Sequence, residues 1–183
     1  MGKNRYTEWI DNSDGLRYVD LLLIGNAQGL GILDVELIQE FPKIRIDSQL
    51  EEDRQKKLRH ITLSELWVMG AYELIRLIDN IIQNDKDTFS RETKQKLKDK
   101  LSIFTQVRIP LVKFKQRGKN ELYSGITVPK FDLVNGLGWK IHYSNKSKIE
   151  TKEVLRKDLG DDLLELLKSI NIDIHKKYYS AHN

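Results

Sequence analysis

The chain has 183 residues, with 31 Lys+Arg, 27 Asp+Glu and no cysteine. The absence of cysteine excludes a disulfide scaffold, a Cys-ligated zinc or iron–sulfur site and a thiol nucleophile, and it fits a reducing compartment. With 39% hydrophobic and 32% charged residues, the composition indicates a soluble globular protein, and we expect one domain located in the cytoplasm. The longest uninterrupted apolar run, residues 21–24, is too short to span a membrane, and the N-terminus shows no signal peptide.

The net charge of +4 conceals an asymmetry between the two halves of the chain. Residues 1–85 carry 10 Lys+Arg and 15 Asp+Glu, whereas residues 86–183 carry 21 and 12. Most of the basic excess lies in residues 86–119, with 11 basic and 3 acidic side chains. Three explanations stay open: a polyanionic partner, a solvated helix with lysines on its outer face, and an acidic half that packs against a basic half.

The first 61 residues give weak and mixed signals for secondary structure. Residues 17–24 form a short apolar run rich in strand formers and predict a strand. The glycine-containing stretch 25–31 predicts a turn or loop, and its spacing does not match a phosphate-binding loop. Residues 34–41 predict a short strand or one helical turn, and a very polar helix is expected over residues 49–59.

The strongest prediction is a helical hairpin over residues 62–117. Thr62 and Glu65 form a capping box, which predicts a helix start, and the following helix runs over residues 63–84. That helix is apolar over about two thirds of its circumference, as expected for a central helix or one buried in a dimer. A second helix is expected over residues 91–117, and the short connection makes the two helices antiparallel neighbours.

The last third of the chain predicts a small sheet and a helix. Residues 122–128 and 139–143 read as strands, with turns at Pro129 and Asn135-Gly136, and the strand at 17–24 is a candidate to pair with them. A basic loop is expected over residues 144–152, a helix over 158–171 and a frayed tail over 175–183. The predicted fold is therefore α+β: an N-terminal segment 1–61, the helical hairpin 62–117, a small antiparallel sheet with a basic loop over 118–157, and a C-terminal helix and tail over 158–183.

Basic residues interleaved with aromatic ones suggest a nucleic-acid interface. Trp139 and Tyr143 share one face of a predicted strand, and aromatic rings beside cations can stack bases while neutralising phosphates. The alternative is that both aromatic rings belong to the core and the lysines are solvated. The candidate nucleic-acid-binding residues are Lys94, Lys96, Lys98, Lys100, Lys113, Lys115, Arg117, Lys119, Lys140, Lys146 and Lys148.

Arg108 stands out because it falls at the centre of the apolar stripe of the second hairpin helix. A buried guanidinium must be paired, since an unpaired one costs several kcal/mol. Glu65, Glu73 and Asp79 on the first hairpin helix are possible partners, and antiparallel counting places Arg108 nearest the Glu65 end. The alternatives are that Arg108 lines a pocket and binds a phosphate or carboxylate, or that Pro110 rotates it into solvent.

Arg54 and His60 are separated by five residues, and this spacing resembles the Arg-x(4–6)-His motif of the HEPN ribonucleases. The resemblance implies an RNA-cleaving site built from Arg54 and His60, usually completed across a dimer, with Arg108 as a possible third member. Gln55 occupies the position after the arginine, where that family often has a polar residue. The predicted sheet departs from the all-helical fold of that family.

Three functions follow from these patterns. The first is a non-enzymatic binding or adaptor protein that associates with nucleic acid or a nucleoprotein complex through its basic surface. The second is the HEPN-like ribonuclease. The third is a protein-interaction subunit or homodimer that uses residues 63–84 and makes no nucleic-acid contact. No cofactor and no metal site is expected, since no metal-ligand spacing is present in the sequence.

Overall fold

The protein, seen in a computed structural model, is described over residues 4–85, 87–112, 128–132, 136–145 and 148–179. The fold is α+β, which confirms the predicted class: helices pack around a helical hairpin, beside a small antiparallel sheet. Short 3-10 turns, Asp14–Tyr18 and Phe41–Lys43, flank the second helix. The elements are α1 (Arg5–Ser13), α2 (Leu21–Glu40), α3 (Glu51–Asn84), α4 (Arg91–Val112), β1 (Val128–Asp132), β2 (Gly136–Asn145), β3 (Lys148–Leu155) and α5 (Arg156–Tyr179).

Helix α2 replaces the strand predicted at residues 17–24 and the loop predicted at 25–31, so both predictions are wrong. Asp20 caps the helix, because its carboxylate accepts a hydrogen bond of 2.8 Å from the Leu22 amide. The helix continues through residues 34–41, where a strand or a single turn was expected. The buried positions follow a spacing of three and four, which is helical: Leu23, Ala27, Gly31, Asp34 and Leu37.

Helix α3 is one continuous helix of 34 residues, about 51 Å long at 1.5 Å per residue. The predicted break between a helix at 49–59 and one at 63–84 is therefore wrong. Neither glycine nor proline occurs between residues 51 and 69, so nothing in the sequence interrupts the helix. The Thr62 and Glu65 pair has the sequence of a capping box, but the preceding turn already supplies the carbonyl acceptors that a cap would replace.

The antiparallel hairpin of α3 and α4 is confirmed, with a short connection over residues 85–90. Ser90 caps α4, since its hydroxyl accepts a hydrogen bond of 3.1 Å from the Thr93 amide. Asp173 of α5 accepts a hydrogen bond of 2.9 Å from the Ser90 amide. Hydrogen bonds from Thr88 lower the pKa of the Asp85 carboxyl to about 2. The last helix thus holds the connection between the two hairpin helices.

The strands pair in the order β1-β2-β3, all antiparallel. The strand predicted at 139–143 is confirmed within β2, and Trp139 is buried on the core side. The loop predicted at 144–152 is largely wrong, because β3 begins at Lys148. Pro129 lies inside edge strand β1 rather than in a turn, and edge strands are where proline is tolerated within a sheet. Residues 122–127 of the other predicted strand lie outside the described residues, and residues 17–24 do not join the sheet.

Helix α5 begins two residues before the predicted start at Asp158 and extends through Tyr179, so residues 175–179 are helical rather than a frayed tail. It contacts α1, α3, α4 and the sheet, which makes it the element that closes the core. Its inward face is buried: Leu159, Leu163, Leu164, Leu166, Leu167, Ile170 and Ile174. The physical reason for its length is continued burial, since Ile174 packs in the core beyond the predicted end at residue 171.

Candidate functional site

Two lysines predicted to bind nucleic acid make ion pairs between helices α4 and α5. Lys96 Nζ lies 3.3 Å from a carboxylate oxygen of Glu165. Lys100 Nζ donates a hydrogen bond of 2.5 Å to the Asp162 carboxylate, and the lysine side chain is 17% exposed. Their charges are therefore balanced within the chain, as expected where acidic and basic surfaces of one domain pack together.

The other two α4 lysines differ from each other. Lys94 donates a hydrogen bond of 2.8 Å to the Asp85 carbonyl oxygen, which ties the start of α4 to the end of α3. Lys98 is exposed and makes no ion pair with a described residue. Glu92 and Asp99 are also exposed along this helix, so the described surface of α4 carries both signs of charge.

Of the three candidate lysines in the sheet region, the structure describes the side chain of Lys140 alone. Lys140 Nζ lies 3.5 Å from the Glu153 carboxylate, which also accepts a hydrogen bond of 2.9 Å from Lys130. These two lysines lower the pKa of the Glu153 carboxyl. Lys148 begins β3, but its side chain is outside the described set. Five further predicted residues lie outside the described residues: Lys113, Lys115, Arg117, Lys119 and Lys146.

The positive charge of the candidate residues is concentrated in one segment. Residues 113–119, which follow α4 in the sequence, include four Lys+Arg and no Asp or Glu, a net charge of +4. The whole chain has the same net charge, because the other 27 basic and 27 acidic side chains balance.

The structure does not bring Arg54 and His60 together. Both lie on α3, and six residues at 100° each place their side chains about 120° apart around the helix. The Arg54 side chain is 70% exposed, whereas His60 is 2% exposed. The His60 ring packs against Phe41 and Phe131, with ring centroids 5.8 and 6.4 Å away.

The surroundings of His60 keep its imidazole neutral. Burial, assisted by the positive charge of Arg156, lowers the pKa of His60 to about 4. Its Nδ1 is buried and has no hydrogen-bond partner among the described residues. In this arrangement the imidazole packs between strand β1 and the 3-10 turn that follows α2.

Arg108 is partly buried and paired, as expected, but with a different partner. Its Nη2 lies 3.5 Å from Glu73 Oε1, and its guanidinium stacks over the Tyr72 ring at 4.5 Å from the centroid. The prediction that Arg108 lies nearest Glu65 is wrong. Side chains lean towards the N-terminus of their own helix, which the residue count ignored. In an antiparallel pair this lean moves Arg108 and Glu73 towards each other. Glu65 is left without a described ion pair, and burial raises the pKa of its carboxyl.

The most deeply buried charged group is Asp34, which sequence reasoning did not single out. Asp34 is fully buried, and its Oδ2 accepts hydrogen bonds of 2.5 Å from Arg5 Nε and 3.0 Å from Trp9 Nε1. Its Oδ1 accepts a hydrogen bond of 2.5 Å from Arg156 Nη1. Arg5 also donates a hydrogen bond of 2.5 Å to Asp161. We call these five residues the Asp34 cluster.

The Asp34 cluster joins α1, α2 and the first turn of α5. Arg156 is 4% exposed and lies over the Trp67 ring, 5.5 Å from the centroid. Burial lowers the pKa of the Arg156 guanidinium, and Asp34 opposes this effect. The two arginines and two aspartates balance in charge, and both carboxylate oxygens of Asp34 are satisfied. The geometry is that of a structural junction, since the cluster leaves no charge for a ligand. The one signal in the sequence is that Asp34 is the only charged residue between positions 21 and 35.

A groove of about 510 Å³ lies beside this junction, between α1 and the second half of α2. Apolar and polar side chains both line it: Asn4, Arg5, Tyr6, Ile32, Val35, Glu36, Ile38 and Gln39. No group of three or more His, Asp or Glu residues within the described ranges is arranged to hold a metal ion.

One described helix, Leu21–Lys43, is long and apolar enough to cross a membrane by length and composition alone, with a mean hydropathy of 1.5. This helix contains no long uninterrupted apolar run, because glycines, Asn26 and Gln28 lie between its apolar residues. Core helices of soluble proteins satisfy the same test, and α2 does contribute Leu23, Ala27 and Leu37 to the core.

The apolar residues predicted for a dimer face at 63–84 are mostly used within the monomer. Trp67, Val68 and Ile75 are fully buried, whereas Leu66 and Leu77 remain exposed. Comparison with protein-family models, with curated proteins and with solved structures found no match for the chain.

Proposed function

We propose that the protein is a non-enzymatic binding protein of the cytoplasm that associates with nucleic acid through the basic segment 113–119. The observation that carries this proposal is the charge of the segment itself, since residues 113–119 include four Lys+Arg and no Asp or Glu. The segment reads Lys-Phe-Lys-Gln-Arg-Gly-Lys, with four positive charges and one aromatic ring in seven residues. Closely spaced cations neutralise phosphates, and an aromatic ring between them can stack on a base.

Among the lysines predicted to bind nucleic acid, those that already have acidic partners support this proposal less than those that do not. Lys96, Lys100 and Lys140 have acidic partners within the chain, so a nucleic acid would have to displace those partners. Lys98 is exposed and remains a candidate. The proposed interface is thus the segment 113–119 with Lys98, rather than the whole basic half of the chain.

Binding of a fluorescent single-stranded RNA and of a DNA duplex, measured by anisotropy over a range of salt concentrations, tests this function. Binding through four cations predicts that log K falls with log salt concentration, with a slope of roughly −3 to −4. The variant that changes Lys113, Lys115, Arg117 and Lys119 to Glu is expected to lose this binding.

A matched control reverses the same number of charges at exposed described positions. Changing Lys43, Arg45, Lys152 and Lys157 to Glu alters the net charge equally. If both variants lose affinity to the same extent, attraction is due to net charge alone and the segment 113–119 is not an interface. Binding that is absent in the unmodified protein at low salt contradicts the proposed function itself.

A further inference from the structure

We propose that the first half of the inward face of α3 opens locally, separating from β1 and the 3-10 turn after α2 while the helical core beyond it stays closed, and that acid promotes this opening. The inference is independent of nucleic-acid binding. It starts from three buried polar residues of α3, Asp53, His60 and Ser64, which are 6%, 2% and 0% exposed. We call these three residues the polar seam.

The polar seam lies on the same face of α3 that forms the core further along the helix. At 100° per residue, its three members lie within about 40° of one another, and Ala71, Ile78 and Ile82 continue the same line. Those three residues are buried and apolar. The inward face of one helix therefore changes from polar to apolar after Ser64.

Each member of the polar seam has a buried polar atom that lacks a hydrogen-bond partner in the described part of the chain. These atoms are Asp53 Oδ2, His60 Nδ1 and Ser64 Oγ. Buried polar groups are nearly always satisfied, and each of these atoms loses its hydrogen bonds to water when the face closes. Opening restores those bonds. Closing the polar seam is therefore less favourable than closing the apolar half of the same face.

The apolar residues of this half lie on the outside instead. Leu50, at the N-cap, and Leu58 are 64% and 55% exposed. Surface pairs such as Lys56 with Glu52, at 2.6 Å, support the helix locally. The first half of α3 is thus helical through its own side chains and buries little apolar surface. Parts of a protein with few buried apolar contacts are those that open locally.

Two phenyl rings close the polar seam over His60. Phe41 of the 3-10 turn and Phe131 of β1 have ring centroids 5.8 and 6.4 Å from the imidazole. Among the residues of β1 whose side chains are described, Phe131 alone packs against the core. Its neighbours Lys130 and Asp132 alternate to the other face of the strand. The attachment of β1 to the helices therefore includes a polar ring with an unsatisfied nitrogen.

Acid promotes opening because the closed seam disfavours a charged imidazole. Arg156 of α5 opposes protonation of His60, and Glu40 of α2 favours it with a smaller effect. On α3 itself, Asp53 lies two turns away, and Lys57 donates hydrogen bonds to carbonyl oxygens of the preceding loop. Burial and Arg156 hold the pKa of His60 at about 4, whereas a solvated histidine has a pKa of about 6.5. Protonation is therefore linked to opening.

Thiol labelling tests the proposal, because the chain has no cysteine of its own. The matched variants are Ser64→Cys and Ala71→Cys, since both positions are 0% exposed and lie on the same face of α3. The reagent 4,4′-dithiodipyridine reacts with thiols in acid as well as at neutral pH. We expect Ser64→Cys to react at least about tenfold faster than Ala71→Cys, since local opening exposes only the first position.

The pH dependence of the same measurement tests the role of His60. The ratio of the two labelling rates removes the effect of pH on the reagent and is expected to rise about tenfold between pH 7.5 and 5.5, because the open form gains a proton over this interval. His60→Leu and His60→Gln, each made in both cysteine variants, are expected to abolish this rise. Arg59→Leu, at the adjacent exposed position, is expected to retain it.

Two sets of results overturn the proposal. Equal labelling of Ser64→Cys and Ala71→Cys, or faster labelling of Ala71→Cys, means that the polar seam opens only when the whole face does. A ratio that does not change with pH, or a rise that persists in both His60 variants, means that protonation of the imidazole does not drive the opening.

Discussion

The protein uses the same ion-pair chemistry in two places that differ in burial. In the Asp34 cluster, one fully buried carboxylate is shared by two arginines and a tryptophan from three parts of the chain. Between α4 and α5, Lys96 and Lys100 meet acidic partners that are 56% and 29% exposed. Distances are similar in both places, but water competes for every group in the second. Burial, rather than distance, therefore decides how much each set contributes to stability.

The largest expected effect is the loss of Asp34. In Asp34→Ala, Arg5 and Arg156 lose their common partner, and Arg156 remains buried with an uncompensated charge. Removing one partner of a buried pair typically costs about 3–5 kcal/mol, and we expect that decrease in the free energy of unfolding measured with urea. Asp161→Ala removes an exposed partner of the same Arg5 and is expected to cost less than about 1 kcal/mol. Equal decreases in the free energy of unfolding for Asp34→Ala and Asp161→Ala would contradict the claim that burial sets the contribution of an ion pair.

The next effect concerns pH, because burial, assisted by the positive charge of Arg156, lowers the pKa of His60. The pKa of His60 is about 4 in the folded protein and about 6.5 in the unfolded chain, so the unfolded state binds more protons between these values. Stability contributed by neutral His60 is complete above pH 6.5 and decreases as the pH falls towards 4, by about 3 kcal/mol in total.

Thermal or urea unfolding at several pH values between 4 and 7 measures this effect. His60→Leu retains an apolar group between Phe41 and Phe131 and is expected to remove most of the pH dependence over this interval. The Asp85 carboxyl, whose folded pKa is about 2, loses its own contribution only at lower pH. A variant with an unchanged pH dependence would show that the imidazole is not the group responsible.

A smaller effect is expected from the packing beside the Asp34 cluster. In Gly31→Ala the new methyl group would overlap the Trp9 ring, which is fully buried and donates to Asp34. Overpacking of this kind costs about 1–3 kcal/mol, measured as a lower unfolding midpoint in urea. Gly25→Ala has open space around it and is expected to raise the stability of the monomer by up to about 1 kcal/mol.

The smallest effect is expected at the α4–α5 ion pairs. Lys100→Met keeps most of the alkyl chain and removes the charge beside Asp162. We expect a change of no more than about 1 kcal/mol, which becomes smaller as salt is added. A loss as large as that of Asp34→Ala would mean that burial does not separate the two sets of ion pairs.

The sequence predicted those elements whose apolar periodicity is unbroken. The helical hairpin, strand β2 and the inward face of α5 are of this kind, since leucine, isoleucine and aromatic side chains mark their buried positions. Helix α2 was missed because its buried face includes Gly31 and Asp34, which look like a turn and a surface residue in isolation. Their helical roles depend on Trp9 and Arg156, and contacts so distant in sequence leave no local pattern.

In the candidate site, too, local patterns were predicted correctly and contacts between distant elements were not. The position of Arg108 in an apolar stripe correctly predicted a paired guanidinium, but its choice of Glu73 depended on the direction in which the two side chains lean. The nucleic-acid binding predicted from the lysine pattern stays a prediction, and the acids that neutralise Lys96 and Lys100 come from a helix more than 60 residues away. The spacing of residues within one helix or strand contains no information about which residue of another element they contact.

The Asp34 cluster also constrains the order in which the chain can fold during synthesis. Asp34 is synthesised before its partner Arg156, which follows 122 residues later in the chain. Until then, α2 exposes a carboxylate that the core must eventually bury, so the intermediate of α1 to α4 remains open at this junction. Synthesis of the first turn of α5 supplies the missing charge and the last face of the core together. Burial of Asp34 within its complete set of partners is therefore tied to translation of helix α5.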